Sequence, residues 1–458
     1  MLHHLTLEQM AQALDRREIS PLELLDAHLR QIETENPRIN AFVCVTEDIA
    51  RRAAQAAGRR QARGERLGPL DGIPVTVKDS FDIGGLPTLC GSRSRLGHQA
   101  ASDATMVAKL RAAGAVILGK TNCPELLGNY ETDNFICGRT NNPWSLERTA
   151  GGSSGGESAA IAAFCSAGGL GSDGGGSIRE PAHFCGIAGL KPTPGRLSMA
   201  GHFPVCGYLG GMMGVGGPMA RTARDVRILF EALNGYDRAY PLSAPVPVRP
   251  VNVDGLRIGL ARDWSLAPLQ EGVKSAFELA ARAAAAVGLR VEEFTWDDHA
   301  RAHAAWKFFF VDLAAPLVLK ILDPQTAHWT GLELFESRRQ KPDPTGTQVI
   351  EQMAVRDALR NRLLDRMEET PVLLTPPCSV TAFPHRQRPF RLGGRDYGLL
   401  EVMSPLTPAN VLGLPAVVVP VSRDEDGLPC GVQLVGRPWE EEVLLEVAVR
   451  LQDGLANL

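Results

Sequence analysis

The chain has 458 residues, 44% hydrophobic and 22% charged, and its 48 basic and 52 acidic side chains leave a formal charge of −4. That length allows one large α/β unit or two to three smaller domains, with ample apolar sequence for a core. The near balance of charge gives no electrostatic reason to expect nucleic acid or an anionic membrane as a partner, and no run of about 18 apolar residues is present to span a bilayer. The nine cysteines are scattered and never form a C-x-x-C pair, as expected of small buried residues in a reducing compartment and not of a disulfide framework or zinc site. The opening MLHHLTLEQMAQALDRR carries charge too early for a signal peptide, so the expected location is the cytoplasm.

Thr6-x-x-Gln9 and Ser20-Pro21-x-Glu23 are capping-box patterns, the second with proline at the first helical position. Leu22, Leu25, Leu29 and Ile32 then recur at helical spacing, so two amphipathic helices open the chain. A charged, alanine-rich helix is expected over 47–63. Ile73, Val75 and Val77 alternate as in a strand that ends on Lys78, the end at which open α/β sheets place their sites. A helix over 102–113 is stopped by Gly114 and followed by a short buried strand at 115–118. The letters Gly114-x-x-x-x-Gly119-Lys120-Thr121 fit a phosphate loop. The four middle residues are themselves strand-like, however, and Pro124 follows at once, so the match is read as accidental.

The organising stretch is 149–193, which holds two glycine clusters with serine embedded in each. Flexible linkers are polar and repetitive on both flanks, whereas these clusters are bounded by apolar sequence. The run Ala159 to Phe164 reads as a buried helix starting near Gly155, which puts its free N–H groups beside Ser153 and Ser154. In the second cluster, Gly174-Gly175-Gly176-Ser177, successive N–H groups can converge on one point as an oxyanion hole requires. Neither cluster itself contains a histidine. Lys78 is a candidate base if burial holds it neutral; a snorkelling surface lysine, or one paired with Asp79, is the other reading of the residues alone.

From 234 to 371 the texture changes. A proline-rich segment at 241–250 precedes strands at 256–260 and 289–294 and a helix at 272–287. The aromatic-rich segment that follows includes Trp306 and Phe308-Phe309-Phe310. This region reads as an insertion packed on the main sheet and covering the site. His299 and His303 lie four apart, but without H-E-x-x-H or a cysteine cluster they read as an exposed polar helix face and not as metal ligands. Strands near 372–374, 416–419 and 431–435 and a final helix from 440 to 452 complete the chain.

GGSSGGESAA followed by GSDGGGSIREPAHFCGIAGLKPTPGRLS closely resembles the signature of the amidase signature family. The resemblance extends through GIPVTVKD, TNCPE, ETDN, GRTNNPW and GPMARTARD to GLPAVVVP and GVQLVG, leaving only 234–371 unanchored. It implies a single α/β domain over 1–458, with a central mixed β-sheet flanked by α-helices on both faces and 234–371 as a variable, cap-like insertion. It also implies a Ser–cis-Ser–Lys triad, with Ser177 as nucleophile, Ser153 as the bridging serine before an unusual cis peptide, and Lys78 as base. The N–H groups of Gly174, Gly175, Gly176 and Ser177 would form the oxyanion hole, Asp173 and Arg179 would brace the loop, and Ser154 would support the triad. Leu127, Gly128, Asn129 and Tyr130, with the loop 210–216, are candidates for the pocket lining. Three positions depart from the common pattern. Ser172 stands where threonine is usual, Gly174 replaces a larger residue and is expected to loosen the loop, and Glu180 brings a carboxylate near the site.

The function implied is a serine hydrolase, free of metal and cofactor, that cleaves C–N bonds of small-molecule amides through an acyl-enzyme. Aryl and alkyl amides, anilides, carbamates (urethanes) and esters are all within the family's range. One alternative is the glutaminase subunit of a tRNA-dependent amidotransferase, which needs partner subunits; another is a catalytically silent scaffold. A homodimer fits the resemblance, although nothing in the sequence fixes an interface.

Overall fold

A computed structural model describes residues 1–205, 211–322 and 325–457. Its centre is an eleven-stranded mixed sheet. In chain order the strands are β1 (Phe42–Val45), β2 (Pro74–Lys78), β3 (Val116–Thr121), β4 (Gly168–Asp173), β5 (Ala188–Lys191) and β6 (Val215–Ala220), then β7 (Arg257–Leu260), β8 (Arg290–Glu293), β9 (Val372–Thr375), β10 (Ala416–Arg423) and β11 (Pro429–Gly436). They lie side by side as β1-β3-β2-β4-β6-β5-β10-β11-β9-β7-β8. β2 runs parallel to both β3 and β4, while β4–β6, β5–β6 and β10–β11 are antiparallel. β2, β3 and β4 are buried at every position, which is why they read as near-continuous apolar or small-residue runs.

Both N-terminal capping boxes form: Thr6 and Ser20 accept N–H bonds from Gln9 and Glu23, whose side chains return the bond. The helix expected over 102–113 is Thr105–Ala112. Its start is delayed because the Asp103 carboxylate is used to accept the Gly84 N–H at 2.8 Å. β3 continues to Thr121, so Gly119 and Lys120 of the phosphate-loop look-alike lie inside a strand. Lys120 is buried and paired with Asp79 at 2.7 Å. That pair also removes Asp79 as a partner for Lys78.

The 234–371 region divides in two. Its first part is not a layer laid on the sheet. β7 and β8 extend the sheet beyond β9 with parallel pairing, and the helix Glu271–Ala286 packs on β10 and β11. The second part crosses to the glycine loops through the helix His299–Lys307 and the π-helical turn Phe308–Asp312. There Trp306 and Phe309 join a buried cluster with Trp264, Phe383 and Leu406. The exposed face expected for His299 and His303 is corrected: both are buried, their rings bonded to Ser404 O and Thr407 Oγ1. Facing the apolar cluster, not water, is what the alanine-rich side of this helix dictates. Eight free cysteines lie among the described residues; Cys206 falls outside them, as does Gly210 of the candidate lining loop.

Candidate active site

Because β2 and β4 are parallel, with Val77 opposite Leu170, Lys78 and the pair Ser172 and Asp173 emerge at the same edge of the sheet. The helix Gly155–Ala162 starts against that edge, with Ser154 at its N-cap. The Lys78 ammonium is completely buried and donates to Ser153 Oγ at 2.7 Å, Ser154 Oγ at 2.9 Å and Ser172 Oγ at 3.1 Å. No carboxylate among the described residues touches it. Burial is the main cause that lowers its pKa from 10.5 to about 8; Cys123, Cys90, Asp173 and Glu157 oppose the shift from further away. Ser154 does not cap its helix. Its hydroxyl donates to Ser172 O at 3.3 Å and is held in the lysine cluster.

The cis peptide is Gly152–Ser153, so it precedes Ser153 and does not follow it as expected. Glu180 accepts the Gly152 N–H at 2.8 Å, and burial pushes its carboxyl well above the ordinary range. Ser177 is the most accessible of the three candidate catalytic side chains, at 9% against 1% for Ser153 and 0% for Lys78. Its carbonyl accepts the Ser154 N–H at 3.1 Å, which ties the two glycine clusters together. No hydrogen bond joins the Ser153 and Ser177 hydroxyls in the free chain.

The loop between them is fixed from below by a buried ion pair. Arg179 donates to both carboxylate oxygens of Asp173 at 2.9 Å, and its remaining N–H groups reach Leu406 O, Gln433 and Asn410. Burial pushes the Asp173 carboxyl up, but Arg179 more than offsets this and holds it well below the usual range. Asp173 also accepts the N–H of Gly176 at 2.8 Å and of Ile178 at 3.1 Å. This corrects one expectation. The Gly176 N–H is committed to Asp173, and the loop amides left without a partner among the described residues are those of Gly174, Gly175 and Ser177.

The loop is not loosened by Gly174. A Cβ there would lie 2.6 Å from the Phe310 ring, so the glycine admits an aromatic wall that holds the loop. Gly175 meets Trp306 in the same way at 2.5 Å. Of the four lining candidates, Tyr130 reaches the loop, its hydroxyl donating to Gly175 O at 2.7 Å. Gly128 packs near Thr330 and Phe335, the Asn129 side chain donates to Glu333 at 2.9 Å, and Leu127 is half-buried. Asn410 and Gln433 escape the sequence reading, and Trp306 is visible there only as part of the aromatic segment expected to cover the site. Trp306 lies 132 residues from Gly174, Asn410 237 from Asp173 and Gln433 254 from Arg179, the residues they bond, beyond the reach of any spacing argument. Ser172 was visible only as a departure from the family pattern.

Replacing Arg179 by Met would strand the Asp173 charge in the interior. The expected loss is about 3–5 kcal/mol of stability, read as a lowered urea midpoint; a midpoint equal to that of the unaltered chain would show that the pair carries no structural weight.

A family model described as "Amidase" matches residues 23–445. This chain belongs to the amidase signature family. A glutamyl-tRNA(Gln) amidotransferase subunit from Roseiflexus sp. (strain RS-1) is 35% identical over 482 residues, covering 98% of this chain and 96% of that protein. Among solved structures, a chain from a vestigial protein complex described as revealing the evolutionary origins of an s-triazine catabolic enzyme superposes with a TM-score of 0.90 at 32% identity, covering 98% of each chain. A 6-aminohexanoate cyclic dimer hydrolase bound to substrate gives 0.86 at 29% identity, covering 99% of this chain and 97% of that one. Like them, this amidase-signature chain has a large central mixed sheet flanked by helices, and it is an enzyme acting on C–N bonds of amides. The silent-scaffold reading loses its support. Among the described residues no helix is long and apolar enough to cross a membrane.

Proposed function

We propose that the chain hydrolyses amides through an acyl-enzyme on Ser177, with Lys78 as the base and Ser153 as the relay. The observation that carries this reading is a fully buried lysine amine with no carboxylate partner among the described residues, held on a cluster of serine hydroxyls. A neutral Lys78 has a lone pair to take the Ser153 proton, and Ser153 in turn takes that of Ser177 as its oxygen attacks the carbonyl carbon. The Ser153–Ser177 hydrogen bond forms when substrate closes the site, as catalytic hydrogen bonds commonly do. The open amides of Gly174, Gly175 and Ser177 receive the oxyanion. The relayed proton leaves with the amine, and water then releases the acid. The second part of the 234–371 region serves as a partial cap, with Trp306 and Phe310 as the wall beside the glycine loop.

For the physiological substrate, the amidotransferase relatives, aligned over nearly the whole chain, favour glutamine, with ammonia passed on within a multi-subunit enzyme. The aromatic wall and the likeness to a hydrolase of 6-aminohexanoate cyclic dimer favour a second reading, a stand-alone amidase for apolar or aryl amides. The two separate in one assay. The purified chain is given glutamine, a primary amide, an aryl anilide and an aryl carbamate, alone and with the other subunits of a glutamyl-tRNA(Gln) amidotransferase. Glutamine turnover that rises when those subunits are added is the expected result. Anilide or carbamate turnover by the chain alone, with glutamine untouched under both conditions, would replace it by the second reading.

The lysine sets the pH profile. Because only its neutral form accepts a proton, kcat/KM should climb with rising pH through about 8 and level off above it. A profile flat from pH 6 to 9 would remove Lys78 as the base.

A further inference from the structure

In a trans peptide the C=O and the following N–H point in opposite directions, so whatever grips a carbonyl aims the next amide. The four peptide units of the glycine loop differ in how they are gripped. The 175–176 unit is held at both ends, by Tyr130 on its carbonyl and Asp173 on its N–H. The 176–177 unit is held by the Glu180 N–H on Gly176 O at 2.7 Å. The 173–174 unit leaves the end of β4, with Asn410 at 3.4 Å from its carbonyl. The 174–175 unit has a single polar contact among the described residues, the indole N–H of Trp306 donating to Gly174 O at 2.9 Å. Glycine flanks it on both sides, so no Cβ resists rotation of this unit about its neighbours.

Trp306 is itself completely buried, and two rings stack with it. Phe310 lies 5.0 Å away at 15° and His303 lies 5.8 Å away at 26°. Thr407 Oγ1 donates to Ser404 O, so the 3.0 Å contact between His303 Nδ1 and Thr407 Oγ1 leaves the imidazole as donor. The indole is therefore a fixed group pressed against a flexible one.

We propose that Trp306 is a positioning residue of the hydrolysis: its N–H holds the 174–175 peptide so that the Gly175 amide points at the substrate's carbonyl oxygen. This rests on the reading of the glycine loop as the oxyanion site. It assigns part of the reaction's machinery to the region that the family resemblance leaves unanchored, and it gives the aromatic segment a role beyond covering the site.

The test uses the full chain with whichever amide it turns over, and an alkyl boronic acid as a probe that forms a tetrahedral adduct on a serine. Trp306→Phe keeps an apolar ring and deletes the donor. Expected are a fall in kcat and a rise in the boronate inhibition constant, each by about ten- to hundredfold, with KM within about twofold. A second variant carries a benzothiophene ring at this position, introduced as a noncanonical amino acid. It has the shape of indole with sulfur in place of N–H, and it should show the same loss. Recovery of the original kcat by the benzothiophene chain would mean that only packing matters, and would overturn the proposal. So would a parallel fall in kcat and rise in KM with boronate binding unchanged. The Ser177→Ala chain separates the two layers. If it loses boronate binding while Trp306→Phe behaves as the unaltered chain, the site reading stands and the Trp306 role falls. If it still binds boronate and turns substrate over, both fall.

Discussion

Ser177→Ala is expected to abolish amide turnover, a fall of at least roughly 10⁴-fold in kcat, while the chain stays folded. The argument is geometric. Ser177 is the accessible hydroxyl of the cluster, it has a hydroxyl-bearing neighbour linked to a buried amine, and its own N–H is one of the three open amides of the loop. Removing its oxygen leaves nothing for an acyl group to bond to. The side chain makes no hydrogen bond to the described residues of the free protein, so folding should not register the loss. The checks are steady-state turnover, labelling by a fluorophosphonate, and a melting curve. Turnover within tenfold of the unaltered chain would refute Ser177 as nucleophile; a large drop in melting temperature would show that the residue also supports the fold.

Lys78→Ala should remove turnover at pH 7 as completely, and Lys78→Met separates chemistry from packing. Below about pH 8 the folded chain must hold a protonated amine in a buried site, whereas the unfolded chain holds it in water. With the pKa moved from 10.5 to about 8, that difference is on the order of 3 kcal/mol against folding. The sign follows from proton counting: between about 8 and 10.5 the unfolded chain binds more protons, so this contribution to stability improves as pH rises through that window. Methionine fills similar volume without the charge. Lys78→Met should therefore be inactive at pH 7 and yet as stable as the original chain, or more so, the pattern of a group retained for activity at the expense of stability. A destabilised Lys78→Met chain would mean that the three serine contacts return more than the burial removes.

What could be read from the sequence follows from how local each signal is. The capping boxes at Thr6 and Ser20, the alternation ending at Lys78 and the helix after Gly155 are set within a few residues, and the structure has them. The mixed sheet and the amidase signature family were legible because the motif around Ser153 and Ser177 is long. Three things were not legible. The Gly176 amide is occupied because Asp173, three residues back, turns to meet it. Gly174 looks like a loosening only until Phe310 is placed against it. The His299 and His303 face looks polar, yet it packs inward. In each case the deciding partner is a tertiary contact or a side-chain orientation that no periodicity encodes.

The Arg179 guanidinium has a consequence for the order of assembly. Its partners outside the glycine loop are at sequence separations of 227, 231 and 254 residues. A chain still being synthesised can form β2, β3 and β4 and present every serine of the cluster. The loop beside Ser177 nevertheless gains its full support only when Leu406, Asn410 and Gln433 have arrived. Contacts so distant in sequence close late. The nascent chain is thus kept without an organised glycine loop until nearly its whole length has folded; on the proposal that this loop receives the oxyanion, chains cut short before β11 should bind no boronate even where their N-terminal half is ordered.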